Sequence, residues 1–290
     1  MNILVTGANG QLGNEMRVMS AEHPKHRYFF TDVAALDGAQ ALDITDAKAV
    51  RAFVEANNID LIVNCAAYTN VDKAEEDEAT AKKINADALA VLGRQGVKVI
   101  HVSTDYVFSG DEHLPCRETD PVAPRTVYGA TKYEGEKRLL AACPEAVILR
   151  TAWLYSSFGN NFVKTMIRLG KEKEQLGVVF DQIGTPTYAA DLARAIFTVV
   201  EHHVWQPGIY HFTNEGVCSW YDFTLAIHEL AGIKNCKVLP ILSEEYQYKT
   251  PRPHYSVLDK SKFKKTFNVE IPHWTEGLKR CVKLLLKEKL

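Results

Sequence analysis

Short apolar runs alternate with amphipathic segments along the first half of the chain, and such runs are typical of buried strands. They fall at residues 2–6, 28–31, 61–64, 97–102 and 146–150. The segments between them place apolar residues at helical spacing, and one long helix is predicted from Asp72 to Leu92. Strands that alternate with helices in this way build a parallel sheet with helices on both faces. The pattern predicts an α/β fold with a doubly wound parallel sheet of Rossmann type.

The alternation becomes less regular after about residue 151. The predicted elements there are helices at 161–169, 190–200, 220–231 and 274–285, and strands at 208–212 and 237–241. A proline-rich segment, 250–259, precedes the last helix. We expect residues 1–150 to form one domain and residues 151–290 to form a smaller C-terminal lobe that is interleaved with it.

Composition and charge narrow the class of protein. The 290 residues include 46% hydrophobic positions, enough for a sizeable core, and the formal net charge is −2. That charge excludes the basic footprint of a nucleic-acid-binding protein, and no apolar run approaches the ~20 residues of a membrane-spanning helix. The six cysteines show no C-x-x-C spacing, which excludes a typical zinc site. Because the chain starts directly on a predicted strand, we expect a soluble, reduced, cytoplasmic protein with no nucleic-acid or membrane partner.

The first predicted strand runs into a glycine-rich turn that opens a helix, Gly7-Ala-Asn-Gly10-Gln-Leu-Gly13. In dinucleotide-binding turns the first glycine permits the tight turn, the second lets the pyrophosphate approach, and the third lets the helix pack closely. The N–H groups and the dipole at the helix start favour the anion. The alternative is a glycine-rich turn without a ligand, since the spacing is one residue wider than G-x-G-x-x-G. The position directly after the first strand favours a cofactor site within residues 1–150.

Two acidic positions follow in the same domain. Asp32 ends the second predicted strand, where a carboxylate can bind a ribose 2′-hydroxyl and repel a 2′-phosphate. On that ground NADH is favoured over NADPH, although Asp32 could equally cap a turn. Asp43 and Ile44 are expected beside an adenine ring; the alternative is that Asp43 or Thr45 is the N-cap of the next helix.

The third predicted strand ends in a loop of small residues, Cys65-Ala66-Ala67-Tyr68. Small residues at the carboxyl end of a strand let a cofactor lie against the backbone, so Ala66, Ala67 and Tyr68 are candidate cofactor contacts. Asn85 falls inside the long predicted helix, where asparagine is a poor helix former. It is either exposed to solvent or bonded to backbone near the site.

A tyrosine and a lysine stand one helical turn apart in Tyr128-Gly-Ala-Thr-Lys132. A neighbouring ammonium lowers the pKa of a phenol, which makes it a usable proton donor. Thr104 follows the fourth predicted strand, where its hydroxyl can touch a ligand at the edge of the sheet. Phenol, ammonium and hydroxyl are the groups that a carbonyl reduction needs. Each has a plainer interpretation, because Tyr-x-x-x-Lys arises by chance on solvated helices and Thr104 could be an ordinary strand end.

Together these features resemble the extended short-chain dehydrogenases/reductases, and most closely the dTDP-4-dehydrorhamnose reductase family. The stretches that carry the resemblance include Asn64–Lys73 (NCAAYTNVDK), His101–Gly110 (HVSTDYVFSG), Val127–Lys132 (VYGATK), Arg150–Tyr155 (RTAWLY) and Asp181–Thr187 (DQIGTPT). The resemblance implies NADPH- or NADH-dependent reduction of the C4 keto group of dTDP-4-dehydro-L-rhamnose to dTDP-L-rhamnose. It also implies a purpose, the supply of a deoxysugar for cell-surface polysaccharide.

The resemblance further implies roles for individual residues. Tyr128 would donate the proton, Lys132 would bind the nicotinamide ribose and lower the tyrosine pKa, and Thr104 would hydrogen-bond the reacting carbonyl. Asp105 and Trp153, with Thr104 and Tyr128, would line the sugar. The residues that would hold the cofactor are Gly7, Gly10, Gln11, Leu12, Gly13, Asp32, Asp43, Ile44, Ala66, Ala67, Tyr68, Tyr128 and Lys132.

Two other functions stay open at this point. One is another nucleotide-sugar enzyme on the same scaffold, either an epimerase or a reductase of a different 4-keto sugar. The other is a non-catalytic protein, because a regulatory subunit of methionine adenosyltransferase resembles this family. The presence of Thr104, Tyr128 and Lys132 favours an enzyme.

Some family members dimerise through magnesium held by glutamates, and the sequence departs from that pattern. Glu15 matches one ligand, but Ala190 stands where a second is expected, with Asp191 beside it, and Glu288 gives no convincing third ligand. We therefore expect no tightly bound magnesium, and either a monomer or a homodimer without a bridging metal. Arg252 could pair with a diphosphate or could be structural.

Overall fold

The computed structural model describes residues 1–246 and 248–287. Its strands are β1 Asn2–Thr6, β2 Arg27–Asp32, β3 Gln40–Ala41, β4 Leu61–Asn64, β5 Lys98–Thr104, β6 Val147–Thr151, β7 Leu154–Tyr155, β8 Gln175–Val179, β9 Ile183–Gly184, β10 Thr187–Tyr188, β11 Gly208–His211, β12 Cys218–Ser219 and β13 Lys237–Ile241. The strands predicted for residues 1–150 are confirmed as β1, β2, β4, β5 and β6.

Helices connect these strands. They are α1 Gln11–Ser20, α2 Ala47–Ala56, α3 Val71–Glu76, α4 Glu78–Lys82, α5 Ala88–Gly93, α6 Val127–Ala142, α7 Phe162–Glu172, α8 Ala189–Glu201, α9 Trp220–Leu230, α10 Ser261–Phe267 and α11 Trp274–Lys287. Short 3₁₀ turns lie at Asp105–Val107 and Ser243–Glu245. Among the helices described, none combines the length and the apolar character needed to cross a membrane.

Within the described residues, seven strands form one parallel sheet in the order β3-β2-β1-β4-β5-β6-β11. The chain winds outward from β1 to β3 on one side, and then from β4 to β11 on the other. This reversal opens a crevice at the carboxyl ends of β1 and β4, where open α/β sheets bind their ligands. The prediction of a doubly wound, Rossmann-like sheet is confirmed.

Helices cover both faces of this sheet. On one face, α1 packs on α8 with α10 beside them, and Met16, Ile196 and Phe263 share one apolar cluster. On the other face, α2, α5 and α6 enclose a second cluster that includes Val50 and Leu139. Full burial of each such side chain contributes roughly 1.5–3 kcal/mol to folding. The same packing fixes α6, which carries the Tyr128–Lys132 pair, against the sheet.

A third apolar cluster lies in the C-terminal half of the chain, between α7, α9 and α11. The parallel pair β8–β13 and the antiparallel pair β9–β12 belong to this region. The chain does not stay in it, because β11 pairs with β6 of the main sheet, and α8 and α10 pack on that sheet's face. The division into 1–150 and 151–290 stays a prediction.

The helix predicted from Asp72 to Leu92 is broken into shorter pieces, so this prediction is wrong in detail. Asp77 interrupts it at φ −134° and caps α4 by accepting a hydrogen bond of 3.3 Å from the N–H of Thr80. After α4 the chain makes one π-helical turn, Lys83–Asp87, before α5 begins. Single π-turns of this kind occur often at functional sites.

Asn85 lies in that π-turn and is buried, which decides between the two interpretations of this residue. Its side chain accepts a hydrogen bond of 2.8 Å from the Tyr68 N–H and donates one of 3.1 Å to the Tyr68 carbonyl. It also donates to the hydroxyl of Thr131 on α6, at 3.2 Å. Asn85 therefore ties the loop after β4 to the helix that carries Tyr128.

Candidate active site

A cleft of about 940 Å³ opens at the carboxyl ends of β1, β4, β5 and β6. It brings together most of the residues selected from the sequence, namely Gly7, Gly10, Gln11, Leu12, Asp32, Asp43, Ile44, Ala66, Ala67, Thr104, Asp105, Tyr128, Lys132 and Trp153. Gly13 and Tyr68 are not part of its lining. One end of the cleft is formed by the glycine-rich turn and the other by Tyr128 and Trp153.

Gly13 and Tyr68 lie close behind the cleft wall. A Cβ atom on Gly13 would stand 2.2 Å from the carbonyl oxygen of Gly7, so only glycine lets α1 pack on the turn. This is the packing role that the motif predicts for its third glycine. Tyr68 is held through its backbone by Asn85, and its hydroxyl is buried. Its part in cofactor binding stays a prediction.

The glycine-rich turn is shaped to approach a ligand through its backbone. Gly7 has φ +66°, and a Cβ there would stand 2.6 Å from the backbone nitrogen of Ala66. α1 begins at Gln11, directly after Gly10, and no side chain caps its N-terminus. An uncapped helix start beside a cleft offers N–H groups and a positive dipole end to an anion. These features fit the pyrophosphate of a dinucleotide.

Asp32 lines the cleft and also bonds backbone at a turn, so its two interpretations are compatible and ribose binding stays a prediction. It lines the cleft, and its carboxylate also accepts hydrogen bonds from the N–H groups of Asn9, at 2.9 Å, and Val33, at 2.8 Å. The first bond ties the end of β2 to the glycine-rich turn. The carboxylate oxygens are thus partly occupied before a ribose arrives, which weakens the argument for NADH over NADPH.

Asp43 does not cap α2, and neither does Thr45; the N-cap is Asp46, which accepts from the N–H groups of Lys48 and Ala49. Asp43 instead accepts from the backbone and hydroxyl of Thr45, each at 2.8 Å. The backbone bond, more than any other cause, lowers the pKa of Asp43. It therefore stands ionised at the mouth of the cleft.

The position of Tyr128 is set by the first turn of α6. Thr126 caps the helix by accepting a hydrogen bond of 3.0 Å from the Gly129 N–H. A Cβ on Gly129 would stand 2.2 Å from the carbonyl oxygen of Tyr106, so glycine lets α6 rest directly on the turn after β5. Tyr106 also meets the Tyr128 ring edge to face, with centroids 5.4 Å apart. This close approach brings the phenol to the end of β5.

Thr104 and Asp105 face the phenol from that strand end. The Thr104 hydroxyl donates a hydrogen bond of 2.9 Å to the Asp105 carboxylate, and hydrogen bonding with Thr104 acts on the phenol of Tyr128. Both residues are almost fully buried. Burial raises the pKa of Asp105 to about 7, against the effect of its hydrogen bonds. The second carboxylate oxygen, Oδ2, makes no well-formed hydrogen bond among the described residues, and the nearby Ser256 hydroxyl acts to lower the pKa of Asp105.

The pKa of Tyr128 moves in the direction opposite to the one expected from its lysine neighbour. Burial raises it to about 12, more than the hydrogen bond with Thr104 lowers it. The Lys132 ammonium does not point at the phenol; it donates to the Val102 carbonyl at 2.7 Å and lies 3.1 Å from Nε2 of His101. Burial therefore decides the direction of the shift in the pKa of Tyr128, and the Asp105 carboxylate acts in the same direction. The phenol stays protonated at neutral pH, as a proton donor must.

Lys132 is almost fully buried as well. Burial lowers its pKa to about 8, and the negative charge of Glu136, one turn along α6, acts in the opposite direction. Glu136 is held by Arg150 of β6 through two hydrogen bonds, of 2.9 and 2.6 Å. This buried bidentate pair fixes α6 to the sheet beside the lysine.

The far end of the cleft is aromatic. Trp153 has φ +49° and stacks on Trp220 of α9 with ring centroids 3.5 Å apart. It lines both this cleft and an adjoining cavity of about 360 Å³, which Arg252 also lines. Arg252 pairs with Asp72 at 2.8 Å, while its second terminal nitrogen is buried without a partner among the described residues. The structural and ligand-binding interpretations of Arg252 are therefore compatible.

Several residues of the cleft were not selected from the sequence. Lys83 lines it opposite Asp43, and Gly159 packs over Gln11. His101 lies behind it, buried in β5 and next to Lys132. A signal for His101 existed, because a histidine inside an otherwise apolar strand must find a buried partner.

The positions discussed for magnesium have other partners. The Glu15 carboxylate accepts a hydrogen bond of 2.6 Å from Ser156, and burial raises its pKa. Asp191 pairs with Arg280 at 2.6 Å and accepts from Asn214 at 2.8 Å. In the described part of the chain no group of three histidine, cysteine or acidic side chains could hold a metal. Glu288 lies outside the described residues.

Comparison with known proteins agrees with this geometry. Residues 1–287 match the family model described as the RmlD substrate binding domain. A dTDP-4-dehydrorhamnose reductase from Aggregatibacter actinomycetemcomitans is 38% identical over 290 residues, which cover 96% of this chain and 97% of the relative. The chain belongs to the dTDP-4-dehydrorhamnose reductase family. The match extends over almost the whole chain and includes its C-terminal half.

The names of two further relatives specify a cofactor or a substrate. The crystal structure of a dTDP-4-dehydrorhamnose reductase from Bacillus anthracis in complex with NADP has a TM-score of 0.90 and 38% identity, covering 98% of this chain and 99% of that one. A protein from Streptomyces antibioticus, named as a probable dTDP-4,6-dihydroxy-2-methyloxan-3-one 4-ketoreductase, is 41% identical, covering 97% of this chain and 94% of the relative.

Proposed function

We propose that this protein reduces the C4 keto group of dTDP-4-dehydro-L-rhamnose to give dTDP-L-rhamnose, with NADPH or NADH as the reductant. The product would supply a deoxysugar for polysaccharide. The observation that carries the proposal is the meeting of Thr104, Tyr128 and Lys132 in one cleft that also contains an uncapped, glycine-rich helix start. The family of the chain supports the choice of sugar nucleotide and of a nicotinamide cofactor.

The residues fit the cofactor in two ways. The tight turn at Gly7 and the bare N-terminus of α1 leave room and N–H groups for a pyrophosphate. The Lys132 ammonium donates two of its three N–H groups to the Val102 carbonyl and to His101, so the third remains available to a ligand in the cleft. When bound, the reduced nicotinamide supplies the hydride that adds to C4.

Side chains of the protein then stabilise the negative charge that develops on the ketone oxygen as the hydride adds. With substrate bound, the Thr104 hydroxyl turns from the Asp105 carboxylate to donate to that oxygen beside the Tyr128 phenol, and Tyr128 transfers its proton to it as the hydride arrives. Because burial holds the phenol protonated, the donor is ready at neutral pH. Oδ2 of Asp105 and the face of Trp153 contact the sugar ring.

A direct assay tests the proposal. The protein is mixed with NADPH or NADH and dTDP-4-dehydro-L-rhamnose, and the loss of reduced-nicotinamide absorbance is followed while the product is identified by mass spectrometry and NMR. We expect dTDP-L-rhamnose with one oxidised cofactor for each product. Absence of turnover with this substrate, under conditions where the cofactor binds, would overturn the choice of sugar.

A second candidate is reduction of a different dTDP-4-keto sugar. The relative from Streptomyces antibioticus supports it, since its name specifies another 4-keto sugar at comparable identity. Running the same assay on a panel of 4-keto sugar nucleotides separates the two by their kcat/KM values. Cofactor oxidation with none of them would favour the non-catalytic alternative, a regulatory subunit.

A further inference from the structure

A chain of buried polar side chains crosses the sheet behind the cleft. Thr6 of β1, Asn64 of β4 and His101 of β5 lie directly opposite one another in the parallel register. The Thr6 hydroxyl donates a hydrogen bond of 2.6 Å to Oδ1 of Asn64, and Nδ2 of Asn64 lies 2.9 Å from Nδ1 of His101. The chain ends at Lys132, whose ammonium lies 3.1 Å from Nε2 of His101. All four side chains are at most 1% exposed.

Four neighbouring polar side chains are buried here, and burial of each costs free energy unless its hydrogen bonds are made. Thr6 and Asn64 end their strands and His101 lies inside β5, beside valine and isoleucine positions that pack without any polar group. The row of polar groups leads to the ammonium of Lys132, which the proposed function places against the nicotinamide ribose.

The donors and acceptors along the chain fix the protonation of His101. An ammonium can only donate, so Nε2 must accept from Lys132 and the ring must carry its proton on Nδ1. A proton on Nδ1 needs an acceptor, so the Asn64 amide must take the orientation opposite to the one above, with its oxygen toward His101 and its nitrogen toward the Thr6 hydroxyl. The two ends of an amide have nearly the same shape, so this turn keeps the distances to Thr6 and His101 and gives up only the weak bond of 3.4 Å to the Ala66 carbonyl.

The charges around the pair are consistent with a neutral ring. Burial, together with the charge of Lys132, holds the pKa of His101 well below its usual value. The carboxylate near the lysine is Glu136 of α6, and Arg150 of β6 holds it in the buried bidentate pair. His101 therefore accepts from the ammonium without competing for a proton.

We propose that His101 is the positioning residue for Lys132: its unprotonated Nε2 accepts a hydrogen bond that aims the remaining lysine N–H at the nicotinamide ribose. The proposal rests on the proposed function for the role of Lys132, and on the strand register for its geometry. The Val102 carbonyl holds a second N–H at 2.7 Å, so the direction of the third is fully determined. Neither the family model nor the relatives' names assign a role to His101.

A spectroscopic test needs neither substrate nor turnover. Protein labelled with ¹⁵N at histidine is studied by NMR at neutral pH, and the signals of His101 are identified by their loss in His101→Gln. We expect a neutral ring protonated at Nδ1, with Nε2 free of hydrogen. A ring protonated at Nε2, or an imidazolium, would overturn the proposal whether or not the protein reduces a sugar.

A matched pair of variants tests whether the acceptor at position 101 affects cofactor binding and turnover. Glutamine can place an acceptor oxygen where Nε2 stands, whereas methionine has nearly the same shape and offers no such acceptor. We expect His101→Met to weaken NADPH binding and to lower kcat/KM about 10- to 100-fold, as misplacement of a binding group does. His101→Gln should recover most of that loss. His228→Gln, the same change at a buried histidine outside the cleft, controls for the effect of disturbing the interior.

The outcomes separate the possibilities. Equal losses in folded His101→Met and His101→Gln, or no loss in either, would show that Nε2 has no positioning role. NADPH binding is measured by fluorescence titration without any sugar, so a wrong choice of sugar leaves this result intact. Circular dichroism and thermal unfolding establish that each variant is folded, and if the methionine variant is not, the NMR result decides alone.

Discussion

The Thr104 hydroxyl donates a hydrogen bond of 2.9 Å to Oδ1 of Asp105, in a place where both side chains are almost fully buried. The carboxyl is thus connected, through one hydroxyl, to the phenol of Tyr128. Its pKa, raised to about 7 by burial, makes it the group at the end of β5 that changes charge near neutral pH. The charge state of Asp105 decides whether Thr104 has a carboxylate to donate to.

This raised pKa predicts a pH-dependent stability. In the folded protein Asp105 keeps its proton up to about pH 7, whereas in the unfolded chain it loses it near 3.8. Since the folded state binds more protons between those values, the free energy of unfolding falls as the pH rises through this range. From pH 5 to pH 8 the contribution of Asp105 to the free energy of unfolding should fall by about 2–3 kcal/mol. Asp105→Asn should remove this part of the pH dependence, and urea unfolding of both proteins at pH 5 and pH 8 measures it.

Asp37→Asn provides the control for that comparison, because it removes one carboxylate from an exposed turn. It should change the free energy of unfolding by a few tenths of a kcal/mol at most. If Asp105→Asn and wild type lost the same stability between pH 5 and pH 8, the buried carboxyl would not be the group responsible.

Replacing Tyr128 by phenylalanine should separate binding from chemistry. The ring keeps its edge-to-face contact with Tyr106, so the shape of the cleft is retained. Loss of the proton donor should lower kcat by about 10²–10⁴-fold, while the Kd for NADPH stays within about threefold of wild type. Single-turnover kinetics and fluorescence titration measure the two quantities. A folded variant with normal turnover would remove Tyr128 from the mechanism.

Lys132 predicts a pH dependence of cofactor binding. Its pKa, lowered to about 8 by burial, means that the ammonium is present below pH 8 and is lost above it. If this ammonium binds the ribose, the Kd for NADPH should rise on the alkaline side, by up to about tenfold per pH unit. Titrations from pH 7 to pH 9.5 test this, with Lys132→Met as the reference. The variant should bind weakly at every pH, and an unchanged slope in it would assign the titration to another group.

The two glycines Gly10 and Gly13 should respond differently to alanine. A Cβ on Gly13 would stand 2.2 Å from the Gly7 carbonyl oxygen, while one on Gly10 would stand 3.3 Å from the same atom. Gly13→Ala should therefore destabilise the fold by about 1–3 kcal/mol through overpacking. Gly10→Ala should leave the free energy of unfolding within about 1 kcal/mol but raise the Kd for NADPH more than tenfold, because its methyl group enters the cleft.

Thermal unfolding and cofactor titration, measured on both variants, give the comparison. The prediction is that one variant loses stability and the other loses affinity. Equal loss of stability in both would mean that the turn has no room at Gly10 either. Unchanged affinity in Gly10→Ala would place the pyrophosphate elsewhere.

The strands β1, β2, β4, β5 and β6 could be predicted because each is an apolar run with a polar boundary, as Leu61–Asn64 shows. The edge strand β3 could not, because it consists of two exposed residues, Gln40 and Ala41. The breaks in the helix after Asp72 could not. Asp77 ends one helix and caps the next, and the π-turn at Asn85 exists because that side chain bonds the loop at Tyr68. Both depend on tertiary contacts that no local pattern contains.

The residues of the cleft could be named from motifs, but their electrostatics could not. The spacing of Tyr128 and Lys132 predicts that the ammonium lowers the pKa of the phenol. In the structure the ammonium lies next to His101, and burial raises that pKa instead. The alignment of His101 with Asn64 requires the register of two strands that lie far apart in the chain. Register is a property of the assembled sheet, so a histidine inside an apolar strand signals a buried partner but does not name it.

The position of β11 has a consequence for the order in which the chain can fold during synthesis. β11 is the outermost strand beside β6, yet it is made only after α7 and α8, and α10 follows it. A chain that ends near residue 150 would leave β6 as an unprotected edge and the apolar side of α1 uncovered, since α8 and α10 cover it in the complete protein. Residues 1–150 alone would therefore leave part of the apolar cluster on this face of the sheet exposed to solvent. A ribosome must deliver most of the polypeptide before the first strands it produced are fully enclosed.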